Sequence, residues 1–283
     1  MKLAERYDDE KLAPHWNVDD TPESFQCLMN HITSTTNFKA FFEKEISHPE
    51  LFRLPRDMVV ADIGAGIGWT SALLALKPEV KKVFAVEPSK ARLSRIPFVA
   101  KHFGVPEGKI VCIDGHFEDF KVPERVHLVC LSSSFHHCFD EQMPLLFNNL
   151  RNILIEQTAY SYNNYLSENV TIQYRGKVLL ASEHYVPSVN KRTHTYRYFR
   201  NIAKMILKPS RYDPDIELFK FKKRDPDPWG GDHYRTKQEI ERLISDGGFK
   251  MQTFLHAGNI IYPEKWDSLS NHCTYYYAIL EML

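Results

Sequence analysis

The segment Val59-Val60-Ala61-Asp62-Ile63-Gly64-Ala65-Gly66-Ile67-Gly68-Trp69-Thr70 constrains this chain more than any other. Of 12 glycines in 283 residues, three fall here at alternating positions, between an apolar β-branched run and a helical pattern. Lacking a Cβ, glycine reaches positive φ at little steric cost and lets another group approach the main chain closely. A helix that begins directly after such a turn presents its first N–H groups without intrahelical partners. Strand, glycine turn and helix in succession are the opening unit of a layered α/β sheet.

The remainder of the chain continues that alternation. Met58–Ile63, Lys82–Glu87, Lys109–Asp114, Val126–Leu131 and Lys177–Glu183 read as strands, mostly apolar throughout, as in a sheet covered on both faces. Trp69–Leu76, Ser89–Phe103 with Pro97 as a kink, and Glu141–Ile155 read as helices between them. Thr236-Lys237-Gln238-Glu239 is a capping box that opens a helix closing at Gly247-Gly248. Phe249–Leu255 and Thr274–Leu280 then follow as a hairpin-like pair. Seven strands in this arrangement predict a doubly wound, Rossmann-like α/β sheet. Residues 1–54 are expected to form an N-terminal helical cap on a domain spanning 55–283, with 184–234 as an inserted lid.

Composition bounds the function. Thirty-six Lys and Arg balance 36 Asp and Glu, which disfavours a general nucleic-acid coat. No run approaches the roughly 18 apolar residues of a membrane span, and the start lacks the apolar region of a secretory signal, so a cytoplasmic location is expected. The five cysteines, Cys27, Cys112, Cys130, Cys138 and Cys273, include no C-x-x-C pair, so neither a zinc cage nor a disulfide framework is expected. The neutral total conceals a separation. Residues 1–50 carry ten acids against five bases, whereas 186–224 carry eleven bases against three acids. Within the basic stretch, Arg197, Arg200, Lys204 and Lys208 would share one stripe of a helix over 197–208. A solvated lid face, an anionic acceptor and peripheral contact with an anionic membrane surface are the three readings of that stripe.

Two ligand classes use a glycine turn of this kind. The dinucleotide fingerprint G-x-G-x-x-G would place its third glycine at Trp69, whose side chain obstructs a pyrophosphate, although an NAD-dependent oxidoreductase remains the alternative enzyme. Asp62-x-Gly64-x-Gly66-x-Gly68 instead resembles the first motif of class I S-adenosylmethionine (SAM) dependent methyltransferases, whose sheet has seven strands with the last antiparallel. That resemblance implies SAM as cofactor. Asp62, Gly64, Ala65, Gly66 and Gly68, with Trp69 and Thr70 beside them, would then lie along its methionine moiety. Glu87, 19 residues beyond Gly68 and followed by Pro88, corresponds to the acid that accepts from both ribose hydroxyls. Asp114 or His116 would read the adenine, Phe117 would touch its ring, and Ser132 and Ser133 would lie beneath the cofactor.

Methyl transfer from a sulfonium is an in-line displacement, so a base is needed only where the acceptor must lose a proton. His136 and His137 after the fourth strand, His184 after the fifth, and His233 before the last long helix are the candidate bases. Glu183, His184, Asp232 and His233 could alternatively hold a divalent cation, but their spacing is not that of a known metal site and no metal is expected. The expected function is therefore O-methylation of a small molecule, a glycan or a glycan precursor. A non-catalytic SAM-binding regulator is the competing reading from another class. The Asn/Asp-Pro-Pro-Tyr/Phe motif of enzymes that methylate base amines is missing after the fourth strand, so a nucleic-acid acceptor is disfavoured.

Overall fold

A computed structural model describes residues 12–54, 56–163, 169–185, 235–259 and 274–283. Helices α1 (Pro22–Asn30) and α2 (Phe38–Glu45) are followed by β1 (Met58–Ile63), α3 (Trp69–Ala75), β2 (Val80–Glu87), α4 (Lys90–Leu93), α5 (Ile96–His102), β3 (Ile110–Asp114) and β4 (Leu128–Ser132). Then come α6 (Met143–Ile153), β5 (Thr158–Asn163), β6 (Asn169–Tyr174), β7 (Lys177–Tyr185), α7 (Lys237–Asp246), β8 (Phe249–Asn259) and β9 (Thr274–Met282). The main sheet has seven strands in the order β3-β2-β1-β4-β7-β9-β8. β1, β2, β3, β4 and β7 pair in parallel, and β9 runs antiparallel to both β7 and β8. This is the predicted doubly wound sheet with its antiparallel last strand.

Both faces of the sheet are covered, and the period of two decides which residue faces which layer. Val59, Ala61 and Ile63 of β1 join the core beneath α6 and α7, with Phe147, Leu150, Ile240 and Ile244. Met58 and Val60 join the opposite core, with Phe42 of α2 and Leu73 and Leu74 of α3. Every residue of β1 is buried, which explains its unbroken apolar run.

Local signals set the helix ends. Thr21 caps α1 by accepting from Ser24 N, with Pro22 in the first turn, where a missing N–H costs nothing. The capping box at Thr236 and Glu239 closes as expected, with both reciprocal bonds made. The single helix predicted over Ser89–Phe103 is divided into α4 and α5, because Pro97 sits in the first turn of α5 and cannot donate to the turn before it. The antiparallel pair β5 and β6, in register from Thr158↔Tyr174 to Asn163↔Asn169, was not predicted. Among the described residues no helix is long and apolar enough to cross a membrane.

Candidate functional site

The glycine turn folds as its sequence requires. Gly64, Gly66 and Gly68 all adopt positive φ, at 73°, 56° and 84°. The turn is tied across the end of β2, with Gly64 N and Ala65 N donating to Val86 O at 2.8 and 3.0 Å. Gly68 is where α5 comes closest, since a Cβ there would stand 2.9 Å from Ile96 Cγ2. Around Gly66 no described residue lies within 4 Å of an added Cβ, so among the described residues the turn frames an open cradle.

Two acids brace that cradle. Asp62 is fully buried, and its Oδ2 accepts from Thr70 Oγ1 at 2.7 Å and Ser71 Oγ at 2.6 Å, which ties β1 to the first turn of α3. Burial raises its pKa, while the Ser71 and Thr70 hydroxyls and the Cys130 thiol oppose that shift. Its Oδ1 is buried and receives no N–H or O–H among the described residues. Glu87, at the carboxyl end of β2, accepts from Gly66 N at 2.7 Å and from Ser89 N at 3.0 Å. An ionised carboxylate has about four acceptor positions, so these main-chain donors orient it without exhausting its capacity.

The other predicted positions fall around the same end of the sheet. Asp114 is exposed and level with Glu87 in the β2–β3 register. The ring of Phe117 comes within 3.9 Å of the Cβ position of Gly64, while its carbonyl accepts from Asn149 Nδ2. His116 N donates to Asp119 Oδ1. Pro88 is half-buried beside Glu87. The ring of Trp69 packs edge-on against Phe42 at 5.5 Å, and the Thr70 hydroxyl is committed to Asp62. Ser132 ends β4, and Ser133 Oγ donates to Ser182 O at 2.9 Å.

Among the described candidate bases, His136 lies against a buried carboxylate. Its Nδ1 lies 2.9 Å from Glu183 Oε2, and both side chains are buried. Glu183 also accepts from Ser134 N, Phe135 N and His136 N at 3.1, 2.9 and 3.2 Å. Three main-chain donors aimed at one carboxylate favour its ionised, acceptor-only form. His136 Nδ1 then carries the hydrogen, and Nε2 is the basic nitrogen. His137 is half-buried, its ring 4.1 Å from that of His136. His184 pairs through its main chain with Tyr275 in β9, and its side chain lies outside the described residues, as do His233, most of the predicted lid and the basic stripe over 197–208. Among the described residues no cluster of His, Cys, Asp and Glu could hold a metal ion.

Ser71, Arg235 and Glu45 escaped the sequence reading of the site. Ser134 joins the two halves, since its Oγ donates to Ile63 O at 2.8 Å and its Cβ lies 2.6 Å from the Cβ position of Gly64. Arg235 is buried beside the loop after β4, donating to Cys138 O at 2.7 Å and Asp140 Oδ1 at 2.8 Å, with its guanidinium 5.7 Å from the Phe135 ring. Glu45 is fully buried, and its oxygens receive the Ser182 N–H and hydroxyl at 3.0 Å. A signal for Glu45 existed: with Phe38, Phe41 and Phe42 it makes an i, i+3, i+4, i+7 set, placing an acid on the apolar face of a helix.

Residues 60–157, from β1 to the end of α6, match the family model described as a methyltransferase domain. That span holds the glycine turn, Glu87 and the loop after β4. Over that span the chain is similar to methyltransferase domains. Solved structures share the fold of this chain at low identity. Geranyl diphosphate C-methyltransferase from Streptomyces coelicolor A3(2) is 11% identical, with a TM-score of 0.56 over 99% of this chain and 96% of its own. The pyocyanin biosynthetic protein PhzM is 13% identical, with a TM-score of 0.53 over 93% of this chain. The mitomycin 7-O-methyltransferase MmcR is 10% identical, with a TM-score of 0.54 over 96% of this chain. The chain spans 59% of the length of PhzM and 61% of that of MmcR. No curated protein matches the sequence.

Proposed function

We propose that this chain is a SAM-dependent O-methyltransferase of a small-molecule or glycan acceptor, with His136 as the general base. The observation that carries the reading is the buried contact between His136 Nδ1 and Glu183 Oε2 at the carboxyl ends of β4 and β7. Ligands of open α/β sheets bind at those strand ends. SAM supplies a methyl carbon made electrophilic by its sulfonium. The methyl donors of two neighbours support it as cofactor, since the geranyl diphosphate and magnesium protoporphyrin IX methyltransferases were crystallised with S-adenosylhomocysteine (SAH).

The residues present fit that cofactor. The cradle over Gly66 admits a chain that any Cβ would crowd, and Asp62 Oδ1, which receives no N–H or O–H among the described residues, offers a buried acceptor beneath it. Glu87 receives the ribose hydroxyls, Asp114 or His116 meets the adenine edge, and Phe117 flanks the ring. On the acceptor side, His136 Nε2 takes the hydroxyl proton as the oxygen attacks, and the imidazolium so formed is stabilised by the carboxylate of Glu183. Ser134, bonded to Ile63 and lying against Gly64, holds the donor and acceptor halves at a constant separation, which an in-line displacement demands. The eleven Lys and Arg of residues 186–224 suit an acceptor with acidic groups.

The test pairs a binding measurement with a transfer measurement. SAH should bind by calorimetry, and radiolabelled methyl from SAM should pass to a hydroxylated acceptor in fractionated small-molecule extract. His136→Asn should retain SAH affinity and lower transfer by about 100-fold or more, the usual contribution of a positioned base. Transfer undiminished in His136→Asn would remove His136 from the reaction. Binding with no transfer to any fraction would favour the regulator.

A further inference from the structure

We propose that Glu45, on the N-terminal helix α2, is a positioning residue that holds a bulge in β7 and through it aims Glu183 at His136. This rests on the reading of His136 as base, and it adds to that reading a residue from outside the span similar to methyltransferase domains. In the β7–β9 ladder Leu180 pairs with Ala278 and Glu183 with Tyr276, so β7 spends one more residue than its partner over this stretch. An extra residue reverses the side on which the following side chains emerge. Ser182 sits at the bulge with φ +49°, a left-handed conformation that costs a non-glycine residue about 1–2 kcal/mol.

Something must hold that conformation, and the contacts at Ser182 come from two directions. Glu45 Oε1 accepts from Ser182 N, and both Glu45 oxygens lie 3.0 Å from Ser182 Oγ. From the other side, Ser133 Oγ donates to Ser182 O, and Ser133 is itself left-handed at φ 48°. The next residue along β7 is Glu183, whose four hydrogen bonds organise the loop bearing His136. The line of contact therefore runs from α2 through the bulge to the dyad. Ser182, Glu183, Lys44, the buried thiol of Cys130 and the phenol of Tyr277 are the groups that face Glu45. Burial among them raises Glu45 to about 8, and its oxygens accept both the N–H and the hydroxyl of Ser182. Glutamine keeps an oxygen at the Oε1 position, which accepts from both Ser182 N and Ser182 Oγ; alanine and leucine do not.

The experiment reads the His136 imidazole by 15N NMR in the full-length protein, its resonances assigned by their loss in His136→Asn. Wild type and Glu45→Gln should show the Nδ1–H tautomer and the same His136 titration. Glu45→Ala should shift the ring nitrogens toward an averaged tautomer and move the titration midpoint, with methyl transfer falling at least tenfold in kcat. Ser182→Gly keeps the backbone conformation without the hydroxyl, and it should shift the ring in the same direction by a smaller amount, so the idea stays testable if Glu45→Ala does not fold. A role in stability alone would lower the melting temperature and leave the His136 nitrogens where they are in the folded protein. Unchanged nitrogens in folded Glu45→Ala, or in Ser182→Gly, would overturn the proposal. Should His136→Asn keep full transfer, the base assignment fails separately, while the ring nitrogens still report whether Glu45 places Glu183.

Discussion

A Cβ added to Gly64 would stand 2.6 Å from the Cβ of Ser134, so the glycine turn and the loop after β4 are packed into direct contact. Gly66, two residues on, faces open space among the described residues with the same handedness of backbone. The two positions therefore separate packing from binding.

Gly64→Ala is expected to cost about 2–4 kcal/mol, the left-handed penalty plus overlap with Ser134, and to abolish SAH binding. Gly66→Ala should cost only about 1 kcal/mol by denaturant unfolding and still weaken SAH by more than tenfold, because its methyl group fills the cradle. Equal effects of the two substitutions on stability would contradict this division.

Glu87→Gln keeps the shape of the side chain and removes its charge. Hydrogen bonds to a charged group contribute about 1.5–3 kcal/mol each, so SAH affinity measured by calorimetry should drop by roughly ten- to a hundredfold. Gly66 N donates to Oε2 and Ser89 N to Oε1, so the amide oxygen can accept only one of these main-chain bonds, the other N–H meets an NH2 group, and the melting temperature should fall as well. An SAH analogue without ribose hydroxyls should bind both proteins alike.

Glu45 introduces a pH dependence on the alkaline side. Its folded pKa is raised from 4.5 to about 8 by burial, so the folded state holds a proton that the unfolded chain releases earlier. The corresponding stability is fully present below about pH 4.5 and is lost as pH rises toward 8, with a slope of up to about 1.4 kcal/mol per pH unit. Glu45→Gln, which cannot ionise, should gain on wild type steadily between pH 5 and pH 9 in chemical denaturation.

The acid side is set by the half-buried His31 and the buried His127. His31 is lowered to about 4 by burial and then by the charge of His15, whose ring stacks on it at 3.8 Å. His127 is lowered by burial, with Nδ1 accepting from Val59 N and Nε2 2.9 Å from Tyr160 Oη. These groups stabilise the fold above their unfolded pKa of about 6.5, and that stability is lost as pH falls from there toward 4. Melting temperature should decline across that window, and His31→Gln should flatten the decline.

Much of the fold was legible because its signals are local. The apolar β-branched runs, Pro22 and Pro97, and the capping box at Thr236 each act within a few residues of themselves. Their one failure over a helix, the break between α4 and α5, lies at the proline already singled out. The β5–β6 pair was missed although Asn169-Val170-Thr171-Ile172-Gln173-Tyr174 carries β-branched and aromatic residues at a period of two, because the run is short and its partner is polar.

The sequence alone determined the turn at Gly64–Gly68, the acid that closes β2 and the alternation that builds the sheet, since each depends on backbone sterics or on spacing along one segment. Tertiary structure brought His136 to Glu183. His136 and Glu183 are 47 residues apart, Glu45 and Ser182 137 apart, and no periodicity links positions so distant. Their meeting depends on β4 and β7 lying side by side, on one extra residue in β7, and on an N-terminal helix placing an acid where burial makes its hydrogen bonds obligatory.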